Sequence, residues 1–174
     1  MLLKGKKIAI LVEKLYEDLE LWYPYYRFKE EGATVNLVGP EKEVYLSKHN
    51  YPAKATLSVH DAESQTWDAI IIPGGYAPDH LRRHPEILRF VKHQFEQGIP
   101  VATICHAPWV AISAEIVMGK EMTGYFSIKD DIINAGAKYV DKPVVVDGNL
   151  ISSRHPNDLP DFCRAIIRRL SENA

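Results

Sequence analysis

The sequence predicts an α/β fold with a mostly parallel sheet, and three observations lead to that prediction. First, residues 7–12, 67–72 and 100–104 are short apolar runs typical of strands buried on both faces of a parallel sheet. Second, the chain begins with the pattern strand, helix, strand, which favours a right-handed β-α-β unit. Third, a length of 174 residues with 46% apolar and 25% charged residues fits one globular domain over residues 1–174.

The elements follow in order along the chain. After the strand over 7–12, residues 18–31 are predicted as a helix, in which Pro24 predicts a kink or a fresh first turn. Its apolar side is expected to carry Leu19, Trp22, Tyr23, Tyr26 and Phe28. Residues 34–38 read as a second strand, and 44–59 as a β excursion with a turn at 48–50.

The second half of the chain repeats this alternation. The strand over 67–72 ends in a sharp Pro-Gly-Gly turn, and the strand over 100–104 runs directly into an apolar helix. Apolar periodicity and turn residues predict helices over 85–97, 109–118 and 130–135, a hairpin over 143–153, and a final helix over 159–172 capped by Asn157.

Composition excludes several classes of protein. The chain has 21 basic and 23 acidic side chains and a net charge of −2, so it has no basic excess for a nucleic-acid-binding module. No apolar stretch approaches the ~20 residues of a membrane span, and the first residues lack a secretory pattern, so we expect a soluble, cytoplasmic protein. His80 and His84 lack the HExxH context, and no glycine-rich nucleotide motif occurs, so neither a metal nor a cofactor is predicted.

The two cysteines, Cys105 and Cys163, exclude a disulfide framework and a four-cysteine zinc site. Cys105 stands where a buried strand turns into a helix, as at a nucleophile elbow, and the helix dipole there predicts a lowered thiol pKa. Position alone leaves a structural, buried cysteine as the alternative. His106 follows directly and can take or stabilise the thiol proton. Cys163, inside the final helix, is interpreted as inert packing.

Two other strand ends bring further candidates to the same edge of the sheet. Backbone N–H groups of the turn 73–75 can stabilise an oxyanion, although an ordinary tight turn is the alternative. Glu17, Asp18 and Glu20 follow the first strand, where an acidic start to a helix is the plain explanation. A carboxyl beside a thiolate would prefer its protonated form, because like charge raises its pKa, and it could then hydrogen-bond to the sulfur.

Five segments in this order resemble the PfpI-type intracellular proteases, in the superfamily that includes the parkinsonism-associated deglycase. The segments are 16–25, 72–78, 102–108, 129–136 and 145–154. The resemblance implies a flavodoxin-like three-layer sandwich, related to class I glutamine amidotransferase domains, with helices on both faces of the sheet.

The resemblance also implies a role for individual residues. Cys105 is expected to be the nucleophile and His106 its partner, with Glu17 as the buried glutamate that hydrogen-bonds to the thiol. The N–H groups of Gly75 and His106 are expected to form the oxyanion hole, and Tyr125 to line the cleft. The position of Asp79 carries an acid that approaches the histidine from a neighbouring subunit, and Asp is shorter here than the Glu of some members.

The activities implied by the resemblance need no cofactor. They are conversion of methylglyoxal to lactate, removal of early glycation adducts, and peptide hydrolysis, so the expected substrates are small carbonyl compounds, glycated side chains or peptides. A deglycase or glyoxalase is the first hypothesis, an intracellular cysteine peptidase the second, and a redox-sensing stress protein or holdase chaperone the third. The family forms dimers, and one branch forms hexamers, for which Trp22, Tyr25 and Tyr26 are candidate interface residues.

Overall fold

The computed structural model describes residues 1–172. Its strands are β1 (Lys7–Leu11), β2 (Thr34–Gly39), β3 (Val44–Leu46), β4 (Pro52–Lys54), β5 (Leu57–Ser58), β6 (Ala69–Ile72), β7 (Val101–Ile104), β8 (Glu121–Met122), β9 (Lys138–Tyr139), β10 (Val144–Asp147) and β11 (Leu150–Ser153). Its helices are α1 (Asp18–Glu30), α2 (Val59–Glu63), α3 (Ala77–Leu81), α4 (Pro85–Glu96), α5 (Pro108–Ser113), α6 (Lys129–Asn134) and α7 (Leu159–Ser171). Short 3-10 turns lie at Phe126–Ile128 and Pro156–Asp158.

A seven-stranded sheet in the order β10-β11-β7-β6-β1-β2-β5 forms the centre of the molecule. All its neighbouring strands are parallel except β10, which pairs antiparallel with β11 as the predicted hairpin. Two small sheets, β3-β4 and β8-β9, stand beside it. The prediction of a flavodoxin-like α/β fold with a mostly parallel sheet is therefore confirmed.

Side chains of the central strands alternate between two apolar cores, one on each face of the sheet. In β1, Ile8 and Ile10 belong to the core that also holds Phe28 of α1 and Phe162 of α7. Ala9 and Leu11 belong to the opposite core, with residues of α2, α4, α5 and α6. This double burial explains why these strands appear in the sequence as unbroken apolar runs.

Helix α1 differs from its prediction in two ways. It runs unbroken through Pro24, so no fresh turn begins there. Its buried side was predicted only in part: Phe28 is buried and Trp22 packs against the core, but Leu19, Tyr23 and Tyr26 are exposed. The buried residues of α1 are Glu20, Leu21, Pro24 and Phe28, which share one face at helical spacing. A carboxyl group therefore lies on the side of α1 that faces the core.

Two other helices have different ends from those predicted. Helix α5 stops at Ser113 rather than at 118, and Glu115 takes a positive φ of 60° just beyond it. Helix α7 is not capped by Asn157: a 3-10 turn leads into it, Asp158 occupies the N-cap position, and the Asp158 carboxylate binds the Arg154 guanidinium at 2.9 and 3.0 Å.

The chain order places a crevice at the carboxyl ends of the strands. From β1 the chain moves outward through β2 to β5 and then returns to the other side of β1 with β6 and β7. Open α/β sheets form ligand sites at such a reversal. The residues after β1, β6, β7 and β11 meet at this edge. Among the helices within residues 1–172, none is long and apolar enough to cross a membrane.

Candidate active site

Cys105 stands directly after β7, at a sharp turn into α5. Its φ of +62° is left-handed, a conformation that costs a residue other than glycine roughly 1–3 kcal/mol. Two backbone hydrogen bonds hold it there: its N–H donates to the Ser153 carbonyl at 3.2 Å, and its carbonyl accepts from the Tyr125 N–H at 2.8 Å. The side chain is 8% exposed. The predicted elbow is therefore present, and it presents the thiol to a crevice.

The turn after β6 approaches this thiol through two glycines. Gly75 has a φ of +80°, and a Cβ there would lie 2.5 Å from the Glu17 backbone nitrogen. A Cβ at Gly74 would lie 2.7 Å from Cβ of Cys105. The N–H groups of Gly75 and His106 face the Cys105 sulfur, where they favour the thiolate. The two groups predicted to form the oxyanion hole thus lie together at the nucleophile.

The buried carboxyl beside the thiol belongs to Glu20, which corrects the assignment of this position to Glu17. Glu20 is fully buried on the inner face of α1, and its Oε2 accepts the Gly74 N–H at 2.7 Å. Its Oε1 is also buried and has no hydrogen-bond partner within residues 1–172. The Glu20 carboxyl interacts with the Cys105 thiol. Glu17 precedes the first residue of α1 and is only partly buried.

Glu17 lies at the mouth of the crevice instead. It occupies the N-cap position of α1, and its Oε2 pairs with Nζ of Lys48 at 2.8 Å. The Lys48 ammonium also lies 5.8 Å from the ring of Tyr76. The hydrogen bond with Glu17 raises the Lys48 pKa, so the Lys48 ammonium stays charged at the entrance at neutral pH.

Burial controls the protonation of the inner groups. It raises the pKa of Glu20 to about 8, against an opposing contribution from the Gly74 N–H. Burial also raises the pKa of the Cys105 thiol, and the nearby charge of Glu20 adds to that effect. The lowered thiol pKa predicted from the helix dipole is therefore wrong for the resting site, where α5 has only six residues. Both shifts favour the protonated forms of Glu20 and Cys105 near neutral pH.

Contacts with neighbouring side chains hold the His106 ring in place. Its Nδ1 lies 3.2 Å from Sγ of Cys105, and its Nε2 lies 3.2 Å from Oγ of Ser127. The ring stacks on Tyr125 at 5.0 Å and meets Trp109 edge-on at 5.1 Å. Burial, together with the positive charge of Lys48, lowers the pKa of His106. A neutral imidazole beside the thiol can act as a general base.

Asp79 lies outside this crevice. It is in α3, where it pairs with Arg83 one turn later. Within residues 1–172 of a single chain, Asp79 makes no hydrogen bond or ion pair with His106, so a contact across subunits stays a prediction. His84, just before α4, is half-buried, and its Nε2 lies 3.0 Å from Oε2 of Glu13.

The crevice encloses about 350 Å³ and brings most of the predicted residues together. Its walls are formed by Glu17, Glu20, Lys48, Gly75, Tyr76, Cys105, His106, Tyr125, Ser127 and Pro156. Sequence reasoning missed Lys48 and Ser127, which lie on loops without a recognisable pattern. Glu20 carried a usable signal, since it shares helical spacing with Leu21, Pro24 and Phe28.

One cluster near the entrance has the side chains of a metal site. Single ligand-type atoms of Glu17, Asp18 and His49 lie within 4.8 Å of one another. Internal contacts account for this arrangement: Asp18 accepts from the Ser47 hydroxyl at 2.6 Å and contacts His49 at 2.7 Å, and Glu17 pairs with Lys48. The network fixes the loop that carries Lys48.

Comparisons with known proteins match one family over most of the chain. The profile of the DJ-1/PfpI family matches residues 6–169. The chain is 43% identical over 164 residues to "Deglycase PfpI" of Pyrococcus furiosus, covering 94% of this chain and 99% of that one. It is 41% identical over 168 residues to "Putative cysteine protease YraA" of Bacillus subtilis, covering 95% and 99%.

Solved structures of similar fold are named for the same family. Drosophila melanogaster DJ-1beta superimposes with a TM-score of 0.91 at 27% identity, covering 95% of this chain and 90% of that one. A two-domain protein of Anabaena variabilis, with DJ-1/ThiJ/PfpI-like and ferritin-like domains, gives 0.91 at 42% identity. The chain covers 48% of that longer protein and is itself covered to 95%. The family resemblance drawn from the sequence is thereby confirmed, and the chain belongs to the DJ-1/PfpI family.

Proposed function

We propose that this protein is a cofactor-independent enzyme that uses Cys105 to attack reactive carbonyl compounds or their early adducts on amino and thiol groups. One observation carries the proposal: a strained, nearly buried thiol has a neutral imidazole at 3.2 Å and two backbone N–H groups directed at its sulfur. This combination supplies a nucleophile, a base and an oxyanion site.

Methylglyoxal is the simplest substrate with which to describe the proposed reaction. His106 takes the thiol proton at Nδ1 while the sulfur adds to the aldehyde carbon, and the resulting oxyanion is bound by the N–H groups of Gly75 and His106. Protonation of that oxygen gives a hemithioacetal. His106 is neutral again after it protonates that oxygen, so it can take the C1 proton and return it to C2 through an enediol, which gives a lactoyl thioester. Glu20, with a pKa near 8, stays protonated beside the sulfur in these steps. Water then releases lactate and restores the thiol.

The same steps remove an early glycation adduct. The aminocarbinol or hemithioacetal formed by a dicarbonyl releases the amine or thiol as the Cys105 sulfur takes its place on the carbon. The enclosed volume of about 350 Å³ suits a small carbonyl group at the sulfur. The similarity to a protein named a deglycase supports this assignment.

A cysteine peptidase is the second candidate function, because a relative with 41% identity is named a putative cysteine protease. Peptide hydrolysis would use the same nucleophile and oxyanion site, with His106 giving its proton to the leaving amine. The two candidates differ in the group that must leave the carbon, so substrate comparison separates them.

The test compares wild type with Cys105→Ala and Cys163→Ala on methylglyoxal, on a glycated amino acid and on a fluorogenic peptide. We expect Cys105→Ala to remove carbonyl turnover and Cys163→Ala to retain it, because Cys163 is buried inside α7. Full activity in Cys105→Ala would refute a cysteine-dependent mechanism. Turnover of the peptide alone, lost in Cys105→Ala, would replace the carbonyl assignment by the peptidase.

A further inference from the structure

Both ring nitrogens of His106 are already engaged within a single chain. Nδ1 faces the Cys105 sulfur at 3.2 Å, and Nε2 lies 3.2 Å from the Ser127 hydroxyl. Ser127 therefore lies where a catalytic triad places its acid, on the far side of the imidazole from the nucleophile. Ser127 carries no charge, is exposed, and lies in the 3-10 turn Phe126–Ile128.

We propose that Ser127 is a positioning residue for His106, so that thiol, imidazole and hydroxyl form one hydrogen-bonded series within each protomer. The proposal rests on the proposed function, since it assigns a role in delivering the thiol proton to His106. It adds a residue that neither the sequence analysis nor the family resemblance singled out.

The backbone fixes the distance between Ser127 and the nucleophile. The Tyr125 N–H donates to the Cys105 carbonyl at 2.8 Å, and the Ile128 N–H donates to the Tyr125 carbonyl at 3.0 Å. The first bond ties the residue before the turn to the elbow, and the second closes the turn that presents Ser127. The ring of Tyr125 also stacks on His106 at 5.0 Å. These contacts thus hold the Ser127 hydroxyl and the His106 imidazole at fixed positions relative to the thiol.

When the Ser127 hydroxyl accepts a hydrogen bond from Nε2, it favours the His106 tautomer that can act as a base toward the thiol. With Oγ of Ser127 as acceptor, Nε2 keeps its proton and the lone pair of Nδ1 faces the thiol. When the thiol ionises, the S–H bond breaks and an Nδ1–H bond forms, while Nε2–H continues to donate to Oγ. Ser127 can therefore support His106 before and after the proton moves.

A hydroxyl at this position is uncharged, so it does not stabilise the protonated imidazole electrostatically. A carboxylate in its place would stabilise the imidazolium and raise the pKa of His106, whereas the present surroundings lower it through burial and the Lys48 charge. Other titratable or charged groups near the ring include Cys105, Glu17, Glu20, Tyr76 and Tyr125 in the crevice, and Arg82 and Asp131 on the far side of Trp109. An uncharged partner keeps His106 a free base at neutral pH.

The experiment compares Ser127→Ala, Ser127→Thr and Ser127→Asp. Ser64→Ala is the matched control, because Ser64 is also exposed and its hydroxyl donates to the Asp61 carbonyl, away from the crevice. Two quantities are measured in each variant: the pH dependence of kcat/KM for methylglyoxal, and the pKa of the His106 imidazole by NMR. His106→Gln assigns the resonance among the seven histidines.

We expect Ser127→Ala to lower kcat roughly three- to tenfold with little change in KM, the effect of losing one neutral hydrogen bond. Ser127→Thr should restore the rate. Ser127→Asp should raise the pKa of His106 by about half to one pH unit and move the acid limb of kcat/KM upward by the same amount. Ser64→Ala should leave the rate and both pH measurements unchanged.

Unchanged kinetics in Ser127→Ala, together with an unchanged His106 pKa in Ser127→Asp, would overturn the proposal. A loss of rate in Asp79→Asn with none in Ser127→Ala would also overturn it and assign the position to an acid from a neighbouring subunit. If wild type turned over none of the substrates, the proposed function would fail by itself. The NMR measurement would still decide whether Ser127 holds the imidazole.

Discussion

Replacing Glu20 by Gln tests the central electrostatic feature of the site. The carboxyl is fully buried, and burial raises its pKa from the ordinary 4.5 to about 8. In the unfolded chain it ionises near 4.5, whereas in the fold it keeps its proton. Between these two values unfolding releases a proton, so the free energy of unfolding falls as pH rises.

The magnitude follows from the same two pKa values. Each pH unit between 4.5 and about 8 removes about 1.4 kcal/mol from the free energy of unfolding, which amounts to roughly 3–5 kcal/mol across the window. The destabilisation is complete only above about pH 8. Glutamine keeps an oxygen for the Gly74 N–H bond but cannot ionise. We therefore expect Glu20→Gln to match wild type near pH 4 and to be more stable by up to this amount at pH 8.

Urea unfolding at one protein concentration, at four pH values from 5 to 8 and under reducing conditions, measures this difference. Glu17→Gln is the matched control, because Glu17 lies one turn earlier in sequence and pairs with Lys48 at the crevice mouth. Its stability curve should run nearly parallel to that of wild type, since mouth ion pairs contribute only about 0–1 kcal/mol. Parallel curves for Glu20→Gln and wild type would refute a protonated Glu20. A flattened curve for Glu17→Gln alone would return the assignment to Glu17.

Two further predictions concern the neighbours of Cys105. Gly74→Ala should destabilise the fold and suppress activity, because the new Cβ would lie 2.7 Å from Cβ of Cys105. In Gly98→Ala the new Cβ meets open space, so the free energy of unfolding should fall by only about 1–2 kcal/mol, the cost of the left-handed backbone. Thermal unfolding compares the two, and equal losses would contradict the packing argument. Lys48→Met should raise the pKa of His106 by removing a positive charge and move the acid limb of kcat/KM to higher pH, and an unmoved limb would exclude that influence.

The sequence predicted the central sheet because its strands are buried on both faces. Such strands appear as unbroken apolar runs at β1, β6 and β7, and the Asp-Gly-Asn turn marks the hairpin of β10 and β11. The missed elements are short: α2, α3, β8 and β9 have two to five residues, too few for a periodic pattern. Tertiary contacts define these elements.

The residues of the site also fall into two groups, those that could be predicted from the sequence and those that could not. Cys105, His106 and Gly75 were predicted because each follows a strand end, where parallel strands deliver their residues to a common edge. Lys48 and Ser127 come from loops whose place is set only when the sheet is assembled. Glu20 was obscured by the aromatic residues of α1, which predicted the wrong buried face. A helix that exposes Leu19, Tyr23 and Tyr26 while burying a carboxyl departs from the usual hydrophobic pattern, and such departures occur at functional sites.

The distribution of backbone N–H groups connects the buried acid to the chemistry. Gly74 donates to Glu20, while Gly75 and His106 direct their N–H groups at the sulfur of Cys105. In the mechanism proposed above, negative charge moves from that sulfur to the carbonyl oxygen of the substrate, and the same two N–H groups can donate to both atoms. An ionised Glu20 would oppose the charge at both positions, so we expect the protonated form to be the active one. Rate and stability are therefore expected to respond to one proton: both fall as pH rises toward 8, and both responses should disappear in Glu20→Gln.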